Sequence, residues 1–292
     1  MKDYLVRGMT MDSFVKVVAI RSTDIVNRAA RIHKTSTNAT AAFGRALTAA
    51  SMMGNMQKVE DGSMTLQIRG GGPIGNITVV SDAVGNVRGY VTEPEVPHVS
   101  KYPGKLDVAA TVGTDGTLTV IRDLQMKEPY IGSIPLVTGE IADDIVAYFA
   151  QSEQTPTACA LGVLVEPDGT ARVAGGYLLQ LLPDAPDEVI DALEAGMKRA
   201  GSITTMLEAG MTTEDILGQV CGSLGVVFME TTEVSYKCYC SRERVERVLI
   251  SLGKKELEDI RNEEKIFPVE CHFCDTVYEF TPEDIDDILK KI

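Results

Sequence analysis

The chain has 292 residues, a formal net charge of −14 and no tryptophan, and hydrophobic residues make up 44% of it. This length is enough for one or two domains with a buried core. Nucleic acids and anionic membrane surfaces attract clustered Lys and Arg, so an acidic chain of this kind is not expected to bind either. The sequence also has no apolar run near the ~20 residues that a membrane-spanning helix needs.

Residues 1–7 lack the basic, apolar and small-residue regions of a secretory signal peptide. We therefore expect a cytoplasmic protein. Thiols stay reduced in that compartment, so paired cysteines there favour metal binding over permanent disulfides.

The sequence pattern of residues 1–182 predicts a domain that is rich in β-sheet. Two strand-like stretches, 4–7 and 14–20, precede two helices, one of which is capped by Ser22 or Thr23. Alternating apolar residues from Ser63 onward then predict a series of strands and hairpins. The predicted fold class is α+β, with an N-terminal α/β domain that is rich in β-sheet, a helical linker and a small C-terminal domain.

Gly70 to Gly75 formally match the dinucleotide-binding pattern G-x-G-x-x-G. That function requires a helix to begin at the glycines, so that its N-terminus faces the pyrophosphate. The residues after Gly75 instead alternate with period two, so we interpret the glycines as a tight connection between strands. No Ser-His-Asp or Cys-His set is apparent, and we expect that the protein is not an enzyme.

Residues 183–232 predict short helices with apolar faces, of which 187–199 is the clearest. Glycines interrupt these helices, so none is long enough to be stable alone. The composition favours a helical linker that packs against the sheet domain. The alternative is a binding surface that is exposed only conditionally.

Residues 233–292 contain four of the six cysteines, as a C-x-C pair, Cys238 and Cys240, and a C-x-x-C pair, Cys271 and Cys274. Two short turns that each supply two thiolates are a common source of tetrahedral zinc ligands. We predict one zinc ion per chain on these four sulfurs. His272 lies between two of them, but the four cysteines already complete the ligand set. A segment this short has only a small hydrophobic core, so it needs a bound metal to stabilise its fold.

The C-x-C spacing also predicts redox chemistry. Zinc keeps its sulfur ligands as thiolates, the form that oxidants attack. Disulfides Cys238–Cys240 and Cys271–Cys274 would remove all four ligands, and a bridge across one residue is expected to be strained and readily reduced. Metal binding contributes folding free energy, so loss of the metal should unfold residues 233–292. If the linker docks partly against these residues, their unfolding should release the linker as well.

These motifs resemble the 33 kDa chaperonin family of redox-regulated heat-shock chaperones. The resemblance covers essentially the whole chain and rests above all on Cys238-Tyr239-Cys240 and Cys271-His272-Phe273-Cys274. Further matching segments are Gly70–Gly75, Gly104–Val108, Val112–Leu118, Ser152–Pro156 and Gly175–Gly176.

The resemblance implies three regions: an N-terminal chaperone core at 1–182, a redox-released helical linker at 183–232 and a zinc-binding switch domain at 233–292. It implies an ATP-independent holdase that binds unfolded or partly folded client proteins under oxidative stress and heat. The reduced, zinc-bound form would be inactive, and the oxidised form would be active and homodimeric.

Two other functions fit part of the pattern. A zinc-stapled interaction module would use the four cysteines only for stability, and salt-dependent binding to DNA or RNA would support it. A thiol oxidoreductase would use Cys271 to attack substrate disulfides and would turn over a dithiol substrate. Cys159 and Cys221 lie outside the motif, and the sequence leaves open whether they affect oxidation.

Overall fold

The computed structural model describes residues 2–57, 59, 61–263 and 266–292, so that Met1, Lys58, Glu60, Glu264 and Lys265 lie outside the description. It divides into two compact units, unit 1 (Met1–Lys237) and unit 2 (Cys238–Ile292). The mixed α+β class predicted from the sequence is confirmed. Within the described residues, no helix combines the length and the apolar character that crossing a membrane requires.

Two antiparallel sheets of five strands each form the framework of the described part of unit 1, with elements numbered along the chain. Neighbouring strands of sheet A are, in order, β10 (Thr157–Val165), β11 (Ala171–Leu181), β2 (Val15–Arg21), β1 (Tyr4–Thr10) and β12 (Val226–Glu233). Those of sheet B are β5 (Val87–Val91), β4 (Asn76–Asp82), β3 (Ser63–Arg69), β8 (Thr117–Asp123) and β9 (Tyr130–Pro135). A short pair, β6 (Ser100–Tyr102) and β7 (Lys105–Leu106), lies apart.

The helices of unit 1 are α1 (Thr23–His33), α2 (Thr37–Asn55), α3 (Val108–Val112), α4 (Ala142–Ser152), α5 (Asp187–Ala200), α6 (Ile203–Glu208) and α7 (Thr213–Cys221). Helix α2 is the centre of the unit, because it contacts strands of both sheets and 17 of its 19 residues are buried. Alanines and glycines dominate its surface, and such small side chains let a helix approach a sheet closely on more than one side.

Sheet A is covered on both of its faces. Val18 and Ile20 of β2 belong to the central core around α2, whereas Val17 and Ala19 pack with α5, α6 and α7 on the opposite side. A strand that is buried on both faces typically has a continuous run of apolar residues in its sequence. This explains the continuous apolar run from Val17 to Ile20 in β2.

Gly70 to Gly75 connect β3 to β4 without a helix, as predicted. Gly71 and Gly75 have φ values of 72° and 67°, a left-handed conformation that favours glycine. A Cβ atom on Gly70 would lie 2.3 Å from the carbonyl oxygen of Val112. The glycines therefore serve the turn and its close packing against a neighbouring backbone.

The sequence predicts that residues 226–232 belong to the helical linker. In the structure they form most of strand β12, which pairs with β1. Val226, Val227 and Phe228 are residue types that favour strands. The backbone of β1 supplies the hydrogen-bond partners of β12. Because the two strands are far apart in the sequence, local sequence patterns do not predict this pairing. The division into domains 1–182, 183–232 and 233–292 stays a prediction.

The described residues of unit 2 form α8 (Arg242–Leu252), α9 (Lys254–Glu263), β13 (Phe267–Glu270), β14 (Val277–Phe280) and α10 (Pro282–Leu289). Their buried core is small and consists of Leu249, Leu257, Phe280, Ile285 and Ile288. Helix α10 begins as predicted, with the Thr281 side chain accepting the Asp284 N–H and Pro282 in the first turn.

Candidate metal centre

The structure brings the four predicted cysteines together. The sulfur atoms of Cys238, Cys240, Cys271 and Cys274 all lie within 4.8 Å of one another. Each of these side chains is partly buried. His272 is exposed and does not belong to this group of four.

Cys271 and Cys274 lie at the tip of the hairpin formed by β13 and β14, as predicted. The strands pair Phe267 with Phe280 and Glu270 with Val277, which leaves residues 271–276 as the connection. The carbonyl of Cys271 accepts the N–H groups of Cys274, at 3.1 Å, and Asp275, at 2.8 Å. This turn brings the sulfurs of both cysteines within 4.8 Å of each other.

The C-x-C pair lies just before α8, and the start of that helix holds it. Ser241 caps α8 by accepting the N–H of Arg244. The Arg244 guanidinium donates back to the carbonyl of Tyr239, between the two cysteines, at 2.7 Å. The backbone that carries Cys238 and Cys240 is therefore fixed by its own neighbours.

The spacing of the sulfurs fits a zinc ion. Four sulfurs at tetrahedral corners about 2.3 Å from zinc are about 3.8 Å apart. The Sγ–Sγ distance is 3.7 Å between Cys238 and Cys271 and 3.4 Å between Cys240 and Cys274. A donor set made only of thiolates favours zinc among the common divalent ions. The four cysteines can thus hold zinc.

The thiols of the cluster differ in acidity. Burial raises the pKa of Cys238 and of Cys271. Burial acts in the same direction on Cys274, but hydrogen bonds from the Thr276 hydroxyl and backbone and from neighbouring thiols outweigh it and lower the pKa of Cys274 to about 7. Hydrogen bonding therefore favours the thiolate form of Cys274.

Among the described residues, the hydroxyl groups of Tyr278 and Thr276 contact the cluster, and sequence reasoning missed both. Tyr278 donates to Sγ of Cys240 at 3.1 Å. This hydrogen bond, with burial, raises the pKa of Tyr278 to about 12. The Thr276 hydroxyl lies 3.2 Å from Sγ of Cys274. Their positions two and four residues after Cys274 are the only signal in the sequence that could have drawn attention to them.

The two remaining cysteines lie in unit 1, outside the cluster. Cys159 of β10 packs against the central core, and burial raises its pKa to about 12. Cys221, at the end of α7, packs on the other face of sheet A, where burial raises its pKa to about 11. Thiols in such surroundings are poor nucleophiles.

The chain was compared with known families, proteins and structures. The family model described as Hsp33 protein matches residues 3–281. The 33 kDa chaperonin of Bacillus cytotoxicus is 46% identical over 292 residues, with 100% of both chains covered. The 33 kDa chaperonin of Bacillus cereus strain B4264 has the same identity and coverage. The crystal structure of the 33 kDa chaperonin from Thermotoga maritima has 37% identity and a TM-score of 0.91, covering 100% of this chain and 99% of that chain.

The fold and the four-thiol cluster together define an α+β protein of the chaperonin type found in these relatives, with four cysteines of the C-terminal unit positioned to bind a metal. The chain belongs to the Hsp33 protein family, as the resemblance in its sequence indicated. Membership of this family and the names of the relatives support a chaperone.

Proposed function

We propose that this protein is a redox-regulated, ATP-independent holdase that binds unfolding proteins under oxidative stress and heat. The observation that carries the proposal is the convergence of four thiols, within 4.8 Å, in a unit with few buried apolar side chains. The names of the similar proteins support chaperone activity. The geometry of the cluster supports a switch that depends on the state of its sulfurs.

In the reduced form, Cys238, Cys240, Cys271 and Cys274 would hold one zinc ion, which supplies folding free energy and keeps the sulfurs as thiolates. Among the residues of unit 2 that the structure describes, five apolar side chains form the buried core. A core of that size gives little stability alone, so the ligand set contributes much of the stability of unit 2. Unit 2 is folded, and the protein inactive, while the four sulfurs remain reduced.

In the oxidised form, Cys238 bonds to Cys240 and Cys271 bonds to Cys274. For each pair, two thiolates, two protons from solvent and one molecule of hydrogen peroxide give one disulfide and two molecules of water, so the cysteines lose two electrons to the peroxide. No thiolate then remains to bind the metal. Unit 2 unfolds because its remaining apolar contacts do not offset the conformational entropy of its chain.

In this proposal, unfolding of unit 2 also separates strand β12 from β1, and the loss of that strand frees the preceding helices. Helices α5, α6 and α7 cover the face of sheet A that carries Val17, Ala19, Tyr177 and Leu179. Their release exposes this apolar face, and exposed apolar patches of a few hundred Å² bind other apolar surfaces. Residues 183–232 are, in this proposal, the redox-released linker.

Unfolded or partly folded client proteins are the partners of the active form, which is a homodimer. Binding is stoichiometric and involves no catalytic residue. The protein acts in the cytoplasm and binds neither nucleic acid nor membrane, in keeping with its net charge of −14.

A direct test compares suppression of aggregation of a thermally unfolded client before and after treatment with hydrogen peroxide. Protection is expected only after oxidation, with peptide masses showing the Cys238–Cys240 and Cys271–Cys274 disulfides. Single Cys→Ser changes at the four positions remove one ligand and one disulfide each, and Cys159→Ser is the matched control. Oxidation without protection would leave a zinc-stapled interaction module, whereas catalytic turnover of a dithiol substrate would indicate a thiol oxidoreductase.

A further inference from the structure

Two hydroxyl groups on one hairpin contact sulfurs that belong to different motifs. Tyr278 of β14 donates to Sγ of Cys240, in the C-x-C pair, at 3.1 Å. The Thr276 hydroxyl lies 3.2 Å from Sγ of Cys274, in its own C-x-x-C pair. A thiolate has no hydrogen to give, so the hydroxyl is the donor in both contacts when the sulfurs are ionised.

The Tyr278 hydroxyl is held in place by the packing of its ring. The side chain is partly buried against the apolar cluster of unit 2, which includes Leu249 and Phe280. Strand pairing with Val269 fixes its backbone. The direction of the hydroxyl toward Cys240 therefore does not depend on a flexible side chain.

Hydrogen bonds of this kind change the chemistry of a metal-bound sulfur. Four thiolates around one divalent cation carry an excess of negative charge, and a donor to sulfur draws part of it away. Groups that contact metal ligands in this way are typically worth about 10- to 100-fold in metal affinity. They also make a sulfur less nucleophilic, which slows attack on a peroxide.

We propose that Tyr278 and Thr276 are positioning residues of the metal centre. Their hydroxyls strengthen zinc binding and slow the oxidation of the sulfurs to disulfides. Tyr278 has the larger effect, because it also ties the C-x-C pair to the hairpin that carries the other pair. This inference rests on the proposed zinc and redox roles of the four cysteines.

The test uses the full-length chain with Tyr278→Phe, which keeps the ring and removes one oxygen atom. Competition with a chromogenic chelator is expected to show zinc affinity lower by roughly 10-fold. Hydrogen peroxide is expected to form the disulfides faster than in the wild type. Thr276→Val, at an exposed position, should shift both quantities in the same direction by less. Tyr102→Phe, in unit 1 at a side chain that is 56% exposed, is the matched control and should change neither.

A spectroscopic measurement separates an effect on sulfur from a loss of packing. With Co²⁺ in place of zinc, the energy of the thiolate-to-metal charge-transfer band reports the electron density on the sulfurs. Loss of the Tyr278 hydroxyl is expected to move this band to longer wavelength.

Three results would overturn the inference. Unchanged zinc affinity and oxidation rate in both variants would show that the hydroxyls do not act on the sulfurs. Weaker zinc binding with no shift of the Co²⁺ band would show that Tyr278 is only a structural residue. A wild-type chain that binds no zinc at all would instead contradict the proposed function, and the inference with it.

Discussion

The hydroxyl of Tyr236 lies 3.1 Å from Nε2 of His33, at the end of α1, and donates to the carbonyl of Gly89 at 2.8 Å. Residues 235–237 also pair with β5, since Val87 N–H donates to the Ser235 carbonyl and Lys237 N–H donates to the Val87 carbonyl. The preceding strand, β12, belongs to sheet A. Residues 226–237, which lead to Cys238, are therefore hydrogen-bonded to β1 of sheet A and to β5 of sheet B.

Removal of the Tyr236 hydroxyl is expected to destabilise unit 1. Tyr236→Phe keeps the ring but leaves the Gly89 carbonyl and N–H without this partner, a loss of about 1–3 kcal/mol. Urea unfolding followed by circular dichroism measures the free energy of unfolding. Tyr102→Phe, at an exposed tyrosine, should leave it unchanged, and equal stability of both variants would show that the Tyr236 hydrogen bonds contribute nothing.

Cys221 should report release of the linker helices. Its side chain, at the end of α7, is fully buried in the apolar cluster between α5–α7 and sheet A, and burial raises its pKa to about 11. Alkylation of Cys221 is therefore expected to be slow in the reduced protein and at least 10-fold faster after oxidation, because an exposed thiol has a pKa near ~8.5. Cys159, which packs on the opposite face of sheet A, is the internal control and should stay protected. Equal protection of Cys221 in both states would rule out release of α7.

Weakening the contact between α7 and sheet A should activate the protein with less oxidant. Leu217 is fully buried in this contact, and Leu→Ala at such sites costs about 2–5 kcal/mol. Leu217→Ala is expected to suppress client aggregation at a lower peroxide concentration than the wild type. Gln219→Ala, on the exposed side of the same helix, should behave as the wild type does. An unchanged peroxide dependence in Leu217→Ala would contradict a role for helix release.

Stability should depend on the protonation of Asp3. This side chain is 2% exposed and accepts the Ile25 N–H at 2.7 Å. Burial raises its pKa from 3.8 to about 6 despite the backbone hydrogen bonds that favour ionisation. The folded state thus binds a proton more tightly than the unfolded chain, so this residue makes the free energy of unfolding fall as pH rises from about 4 to 6.

The size of the Asp3 effect is about 3 kcal/mol, from the difference between the two pKa values. Asp3→Asn keeps an oxygen that can accept the Ile25 N–H and removes the ionisation. Subtracting its unfolding free energy from that of the wild type at several pH values cancels the other carboxyl groups. The difference should decline across this window, and a constant difference would show that Asp3 does not titrate there.

Local sequence patterns predicted the features that local interactions determine. The spacing of Cys271 and Cys274, with strand-forming residues on both sides, was sufficient to predict a hairpin with the pair at its tip. Thr281 and Pro282 likewise predicted the start of α10. The four cysteines were found because a zinc site has a characteristic spacing.

Contacts between distant residues were not predictable from these patterns. Tyr278 is 38 residues from Cys240, and nothing near either residue indicates that they meet. Strand β12 was missed because its pairing with β1 depends on residues more than 200 positions away. The small residues of α2 suggested close packing against a sheet, but only the tertiary structure shows that the helix contacts two.

The most direct test follows metal content and client protection together during oxidation at raised temperature. We expect roughly one zinc ion per chain to be released in proportion to the rise in suppression of client aggregation, and a thiol reductant with added zinc to reverse both. Zinc release without any gain in client binding would show that the four cysteines only stabilise the fold of unit 2. That result would contradict the proposed redox regulation of client binding.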